Sequence, residues 1–259
     1  MTSFIDDDDH HPRRRICEEG CRRPINVCLC HTIPEKPIPT LTKVVILHHP
    51  HEQRHKLATV PVLSKCLQNC EVIVGRKLRY GDSKTLDYFY DHAVQNPNCP
   101  LRAIYLFPGK DAFSLTKREQ GKLSTFDFDV NGCVLIAFDG TWKHAKEMLQ
   151  ASLQFLSKFS VQACLDYDAG TDGGTIYDSD LILRREPFGG CMSTMEAVAR
   201  CLRHLDPNGI CIESSLIEVL KEMVKFQSSF LKPMKPRPKL SRKVKEEVKK
   251  IAEHSEFPA

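Results

Sequence analysis

The stretch CVLIAFDGTWKHAKEMLQASLQFL (133–156) decides the fold. Its opening run, Cys133 to Phe138, is apolar without alternation, as expected of a strand covered on both faces. Asp139 and Gly140 then break the run. From Thr141 the apolar residues return at helical spacing, with Trp142, Ala145 and Leu149 on one face. A buried strand, a tight turn and a helix form the repeating unit of α/β architecture.

Outward from this unit the pattern recurs. KVVILHHP (43–50), EVIVG (71–75) and RAIYLFPG (102–109) read as strands. VQACL (161–165) and LILRREP (181–187) read as two more, around a Gly/Asp-rich loop. HEQRHKLATVPVLSKCL has helical spacing, with Pro61 at a break or a helix start. LDYFYDHAV (86–94), STMEAVARCLRHL (193–205) and the ranges 212–231 and 240–254 read as helices. Alternating strands and helices predict a mostly parallel sheet, whose ligands sit beyond the carboxyl ends of the strands. That rule selects PGKDA (108–112), DGTW (139–142) and the turn before STMEA (193–197).

Length and composition agree with a globular protein. The chain has 259 residues, 41% hydrophobic and 27% charged, and needs no covalent staples for its core. No apolar run reaches the length of a membrane span, and MTSFIDDDDHHPRRR has no apolar centre of a secretory signal. The expectation is a reducing compartment, cytoplasm or nucleus, where twelve cysteines serve as packing residues, metal ligands or reactive thiols. The net charge is only +4, but Lys and Arg gather at 13–15, at Arg22–Arg23, at GRKLR (75–79) and along 232–250. These runs are solvated faces, an import signal, or the footprint of a phosphate backbone.

Four cysteines crowd into CEEGCRRPINVCLC (17–30). Cys17, Cys21, Cys28 and Cys30 suit a tetrahedral zinc site, with His31 able to replace one of them. An iron–sulfur cluster is the competing reading, although the spacing follows neither common ferredoxin pattern, and four free thiols are the third. His48, His49 and His51 follow the first strand, with Glu52 as their only nearby acid, which gives a metal reading little support. GxGxxG, P-loop and HExxH motifs are absent from the sequence.

The three selected loops carry the remaining candidates. Asp139 brings a carboxylate to the mouth of a cleft. Thr141 is either an N-cap or a site residue, and Trp142 either core or a stacking platform. Ser193 and Glu196 form a capping box, and the same helix start can bind an anion. Arg184 and Arg185 can clamp a carboxylate.

In order along the chain, CRRPINVCLC (21–30), HPHE (49–52), VIVG (72–75), LFPGKDA (106–112), DGTW, LRREP (183–187) and STMEA resemble the DTW-domain family of tRNA-uridine aminocarboxypropyltransferases. KLATVPVL (56–63) resembles its eukaryotic branch. The resemblance implies a SPOUT-like fold with a C-terminal knot that cradles S-adenosylmethionine, behind a small Cys-rich zinc knuckle. The chain divides into a terminus at 1–15 expected to lack fixed structure, a knuckle at 16–32, a catalytic domain at 43–231 and a basic tail at 232–259. The implied reaction moves the 3-amino-3-carboxypropyl group of S-adenosylmethionine to a tRNA uridine. Leu106, Pro108, Gly109, Asp139, Arg184, Ser193, Thr194 and Glu196 would line the S-adenosylmethionine pocket, with Arg184 on the methionine carboxylate. Asp139, Thr141 and Trp142 would be catalytic. A ribosomal-RNA enzyme, an RNA methyltransferase and a non-catalytic zinc-stabilised RNA-binding module are the alternatives.

Overall fold

A computed structural model describes residues 15–96, 103–109, 112–116, 133–165 and 192–229. The expected strand at 181–187 with Arg184, the helix at 240–254 and the basic run at 232–250 lie outside the described residues.

The strands are β1 (Lys43–His48), β2 (Cys70–Val74), β3 (Ala103–Leu106), β4 (Phe113–Ser114), β5 (Val134–Asp139) and β6 (Ser160–Cys164). They form one six-stranded sheet in the order β2-β1-β5-β3-β6-β4, and every pairing is parallel. The helices are α1 (Val60–Cys66), α2 (Lys84–Gln95), α3 (Trp142–Leu156), α4 (Thr194–Leu205) and α5 (Gly209–Ser228). Pro61 sits in the first turn of α1, where its missing N–H leaves no bond unmade. The mixed α/β expectation holds. The two-residue β4 was not foreseen, because a segment that short has no readable period.

Side chains alternate through the sheet. Val44, Ile46, Leu135 and Ala137 pack with α1, α4 and α5 on one face. Val45, Leu47, Val134 and Ile136 pack with Leu86 of α2 and with Met148 and Leu156 of α3 on the other. Both faces are therefore dry, which is why β1 and β5 are apolar at successive positions. Leu29 of the cysteine segment is fully buried in the first of these clusters, so the knuckle is pinned to the sheet's own core. A buried leucine of this kind contributes about 1.5–3 kcal/mol.

Candidate functional site

Register brings the site together. β1 lies beside β5, and the parallel ladder sets His48 opposite Asp139 at the carboxyl ends of both strands. His48 Nδ1 is 2.6 Å from Asp139 Oδ2. The other carboxylate oxygen accepts from the Thr194 hydroxyl at 2.5 Å. An ionised carboxylate only accepts, so opposite it His48 donates through Nδ1, which in the neutral ring leaves the lone pair on Nε2. Asp139 and His48 are each only 3% exposed, so the aspartate sits below the cleft mouth with both oxygens engaged.

The neighbours are held by local chemistry. Thr141 caps α3, accepting from the His144 N–H at 3.3 Å. Ser193 caps α4 in the same way, accepting from the Glu196 N–H at 3.3 Å. Glu196 is buried, and its carboxylate meets Arg200, which also reaches Glu213 on α5. Trp142 is not core: it is 37% exposed at the start of α3, with its ring edge toward Phe107. Of the three residues, only Ala145 and Leu149 are buried. Leu106 ends β3, and Pro108 and Gly109 follow it. A Cβ on Gly109 would collide with the Gln162 amide, which donates to the Phe107 carbonyl at 2.9 Å.

Sequence reading named His49 and His51 but missed His144, their partner in a histidine cluster on the same rim. The His49 and His144 rings stack at 3.9 Å between centroids, 10° from parallel, with His51 edge-on. Gly140 makes room, since a Cβ there would press on His144 and His49. Nitrogens of the three rings lie within 4.8 Å of one another. Stacked rings aim their lone pairs along parallel planes that do not converge on one ion, so the pair forms an aromatic surface. Burial, then the charges of His144, Arg76 and His51, hold the His49 imidazole below its usual range. The cue was HHPH at 48–51, but its partner His144 comes from another helix.

The cysteines do converge. Cys17 and Cys30 sulfurs are 3.5 Å apart, Cys21 and Cys28 sulfurs 3.6 Å, and all four lie within 4.8 Å. The N–H groups of Cys21 and Leu29 point at the sulfurs of Cys30 and Cys21. Gly20 is required, because a Cβ there would collide with Cys30 and touch Cys17 at 3.0 Å. Burial opposes a Cys21 thiolate, yet the bonds from Leu29 and Arg23 hold that thiol down at about 7. The Cys21 N–H favours a Cys30 thiolate, but sharing with Cys17 and Cys28 outweighs it and pushes the thiol up to about 12. This cluster could hold a metal ion.

Residues 14–228 match the family model of the DTW domain. The chain belongs to the DTW-domain family. It is 48% identical over 250 residues to the Arabidopsis thaliana tRNA-uridine aminocarboxypropyltransferase A, covering 93% of this chain and 92% of that protein. It is 29% identical to the mouse tRNA-uridine aminocarboxypropyltransferase 2, over 85% of this chain and 65% of the mouse one. The Drosophila melanogaster protein of that name is 28% identical over 83% of this chain and 76% of its own length. No solved structure matches this DTW-domain chain.

Proposed function

We infer that this protein is a tRNA-uridine aminocarboxypropyltransferase. The observation that carries the reading is identity of nearly half the residues to a curated enzyme of that name along almost the whole of both chains. The site adds a buried Asp–His–Thr constellation where ligands of parallel sheets bind.

The co-substrate S-adenosylmethionine supplies an activated carbon beside a positive sulfur. In the transfer the uridine N3–carbon bond forms, the carbon–sulfur bond breaks, and its electron pair neutralises the sulfur as methylthioadenosine leaves. The N3 proton must go to a base. Both Asp139 oxygens already accept hydrogen bonds, so we assign proton uptake to Nε2 of His48, with Asp139 as its positioning residue. Imidazole is the side chain most often used to take up a proton near neutral pH. Thr194 steadies the carboxylate, as Thr141 steadies the helix that presents Trp142. The exposed Trp142 ring and the His49–His144 pair offer faces for stacking a splayed base or the adenine. Leu106, Pro108, Gly109, Ser193 and Arg184 we assign to the pocket wall. Glu196 we assign to holding the start of α4 through Arg200.

For the cysteines we propose structural zinc. Four thiolates at about 2.3 Å from zinc sit about 3.8 Å from one another, close to the separations found. Four cysteines would close the coordination sphere, leaving zinc no catalytic position. A SPOUT-like arrangement with a knot at the S-adenosylmethionine loops, the boundaries 16–32, 43–231 and 232–259, and residence in cytoplasm or nucleus are parts of the same proposal. The parallel sheet with its ligand loops at one end supports the first of these.

The test uses unmodified tRNA transcript, S-adenosylmethionine and purified protein, read by nucleoside mass spectrometry. A uridine heavier by one aminocarboxypropyl group supports the reading. A uridine heavier by one methyl group overturns it.

A further inference from the structure

Between the knuckle, the segment 53–62 and the last turns of α5 lies an open cleft of about 1530 Å³. Arg15 and Arg22 from the knuckle side and Arg54 and Lys56 from the 53–62 segment line it, together with the half-buried Arg23. Among the described residues that line it there is no aspartate or glutamate. The first four cations are exposed, and none of them forms an ion pair among the described residues. Like charges facing one cleft without acids repel one another, and a polyanion relieves that repulsion.

Arg23 stands apart from these four. It also lines the cleft but is half-buried: burial pulls its guanidinium below the usual range, Cys21 and Cys28 offset part of that, and its Nε donates to the Val27 carbonyl at 3.1 Å. Arg22 carries a φ of 57°, a left-handed conformation uncommon outside glycine. Both arginines line the cleft, Arg22 exposed and Arg23 half-buried.

The volume helps to choose the occupant. Small-molecule pockets measure about 300–1,000 Å³, whereas this cleft is larger and sets its cations among apolar side chains such as Val27, Leu57 and Phe226, a mixture that suits both phosphates and base faces. Exposed Ile25 adds an apolar patch that suits a ribose or base face. Continuity with the site favours RNA over an acidic peptide. The His49 N–H donates to the Asp139 carbonyl, and the Met195 N–H donates to the Thr59 hydroxyl. Between these two anchors the chain runs through successive turns, with Glu52, His55 and Ala58 each bonded three residues back. The segment that carries Arg54 and Lys56 is thus tied at one end to the Asp139 strand and at the other to the start of α4.

We propose that this cleft binds a single-stranded stretch of the substrate RNA flanking the modified uridine, through phosphates on Arg15, Arg22, Arg54 and Lys56. The proposal rests on the tRNA reading above. It makes the knuckle one wall of an RNA clamp and the 53–62 segment the other.

The test measures tRNA binding by the full chain across a salt series. The variant is R22A/R54A/K56A, with K146A/K158A/K221A as the charge-matched control. Metal content and S-adenosylmethionine binding of each variant report an intact fold. The cleft variant should weaken tRNA binding about tenfold or more and lower the salt slope by about 0.7 per lost phosphate contact, roughly 2 in all. The control should change less. An intact cleft variant with wild-type affinity and slope, or an equal loss in the control, overturns the proposal. If the wild type forms no aminocarboxypropyluridine while only the cleft variant loses tRNA, the activity falls and the cleft stands. If the wild type forms product and the cleft variant binds normally, the cleft falls alone.

Discussion

The cysteine knuckle and the Asp139 site are both tight polar clusters, built in opposite ways. The knuckle draws four sulfurs from fourteen consecutive positions. Local turns bring them together, and beyond Cys21 itself only Leu29 among its apolar side chains is buried. The Asp139 site draws His48, Asp139 and Thr194 from three distant segments and sits on two dry core clusters. A cluster with little core beneath it depends on its ligand for order, whereas one seated on a parallel sheet is preorganised without it.

Two changes should break that contrast most strongly. Cys21→Ser removes the thiol held down at about 7, the one best prepared to hold charge. Structural zinc in small sites binds with about 10–16 kcal/mol, so the variant should lose stoichiometric metal and protease resistance near residue 20. S-adenosylmethionine binding should persist, and its loss would show that the two regions are not independent. Asp139→Asn is the complement. It keeps the shape but faces His48 or Thr194 with a donor, and the single-turnover rate should fall on the order of 10²–10⁴-fold. Metal content should stay unchanged, and an unchanged rate would remove Asp139 from the mechanism.

Thr194→Val sharpens the comparison within the site. It deletes one hydrogen bond to a charged group, a loss of about 1.5–3 kcal/mol, so the rate should fall roughly 10- to 100-fold. A loss smaller than twofold would mean that the His48 bond alone suffices.

The smallest effect concerns the histidine rim. His49 is held below its usual range by burial and by positive neighbours. Its stabilising contribution is present above about pH 6.5 and is lost as pH falls through the lower folded value. His144→Ala removes one of those neighbours, so the fall in Tm between about pH 7.5 and 5.5 should shrink. An unchanged or larger fall would place the acid sensitivity elsewhere.

Legibility followed the same division. The knuckle was readable because its ligands are neighbours in sequence, and the strand–turn–helix at 133–156 because its period changes at Asp139. Thr141 and Ser193 were readable as caps because capping is local. His48 was not readable as the partner of Asp139, because sequence does not reveal that β1 lies beside β5. His144 was hidden for the same reason. Trp142 was readable either as core beside Ala145 and Leu149 or as a stacking platform, and its place in the first turn of the helix, 37% exposed, rules out the core reading.

The most direct test of the central claim follows a label. S-adenosylmethionine carrying isotope in its aminocarboxypropyl chain is given to wild-type protein and to Asp139→Asn with unmodified tRNA. The account predicts label in a tRNA uridine and unlabelled methylthioadenosine with the wild type, and almost no transfer with Asp139→Asn. Label retained in S-adenosylhomocysteine, with a methyl group on the RNA, would contradict it.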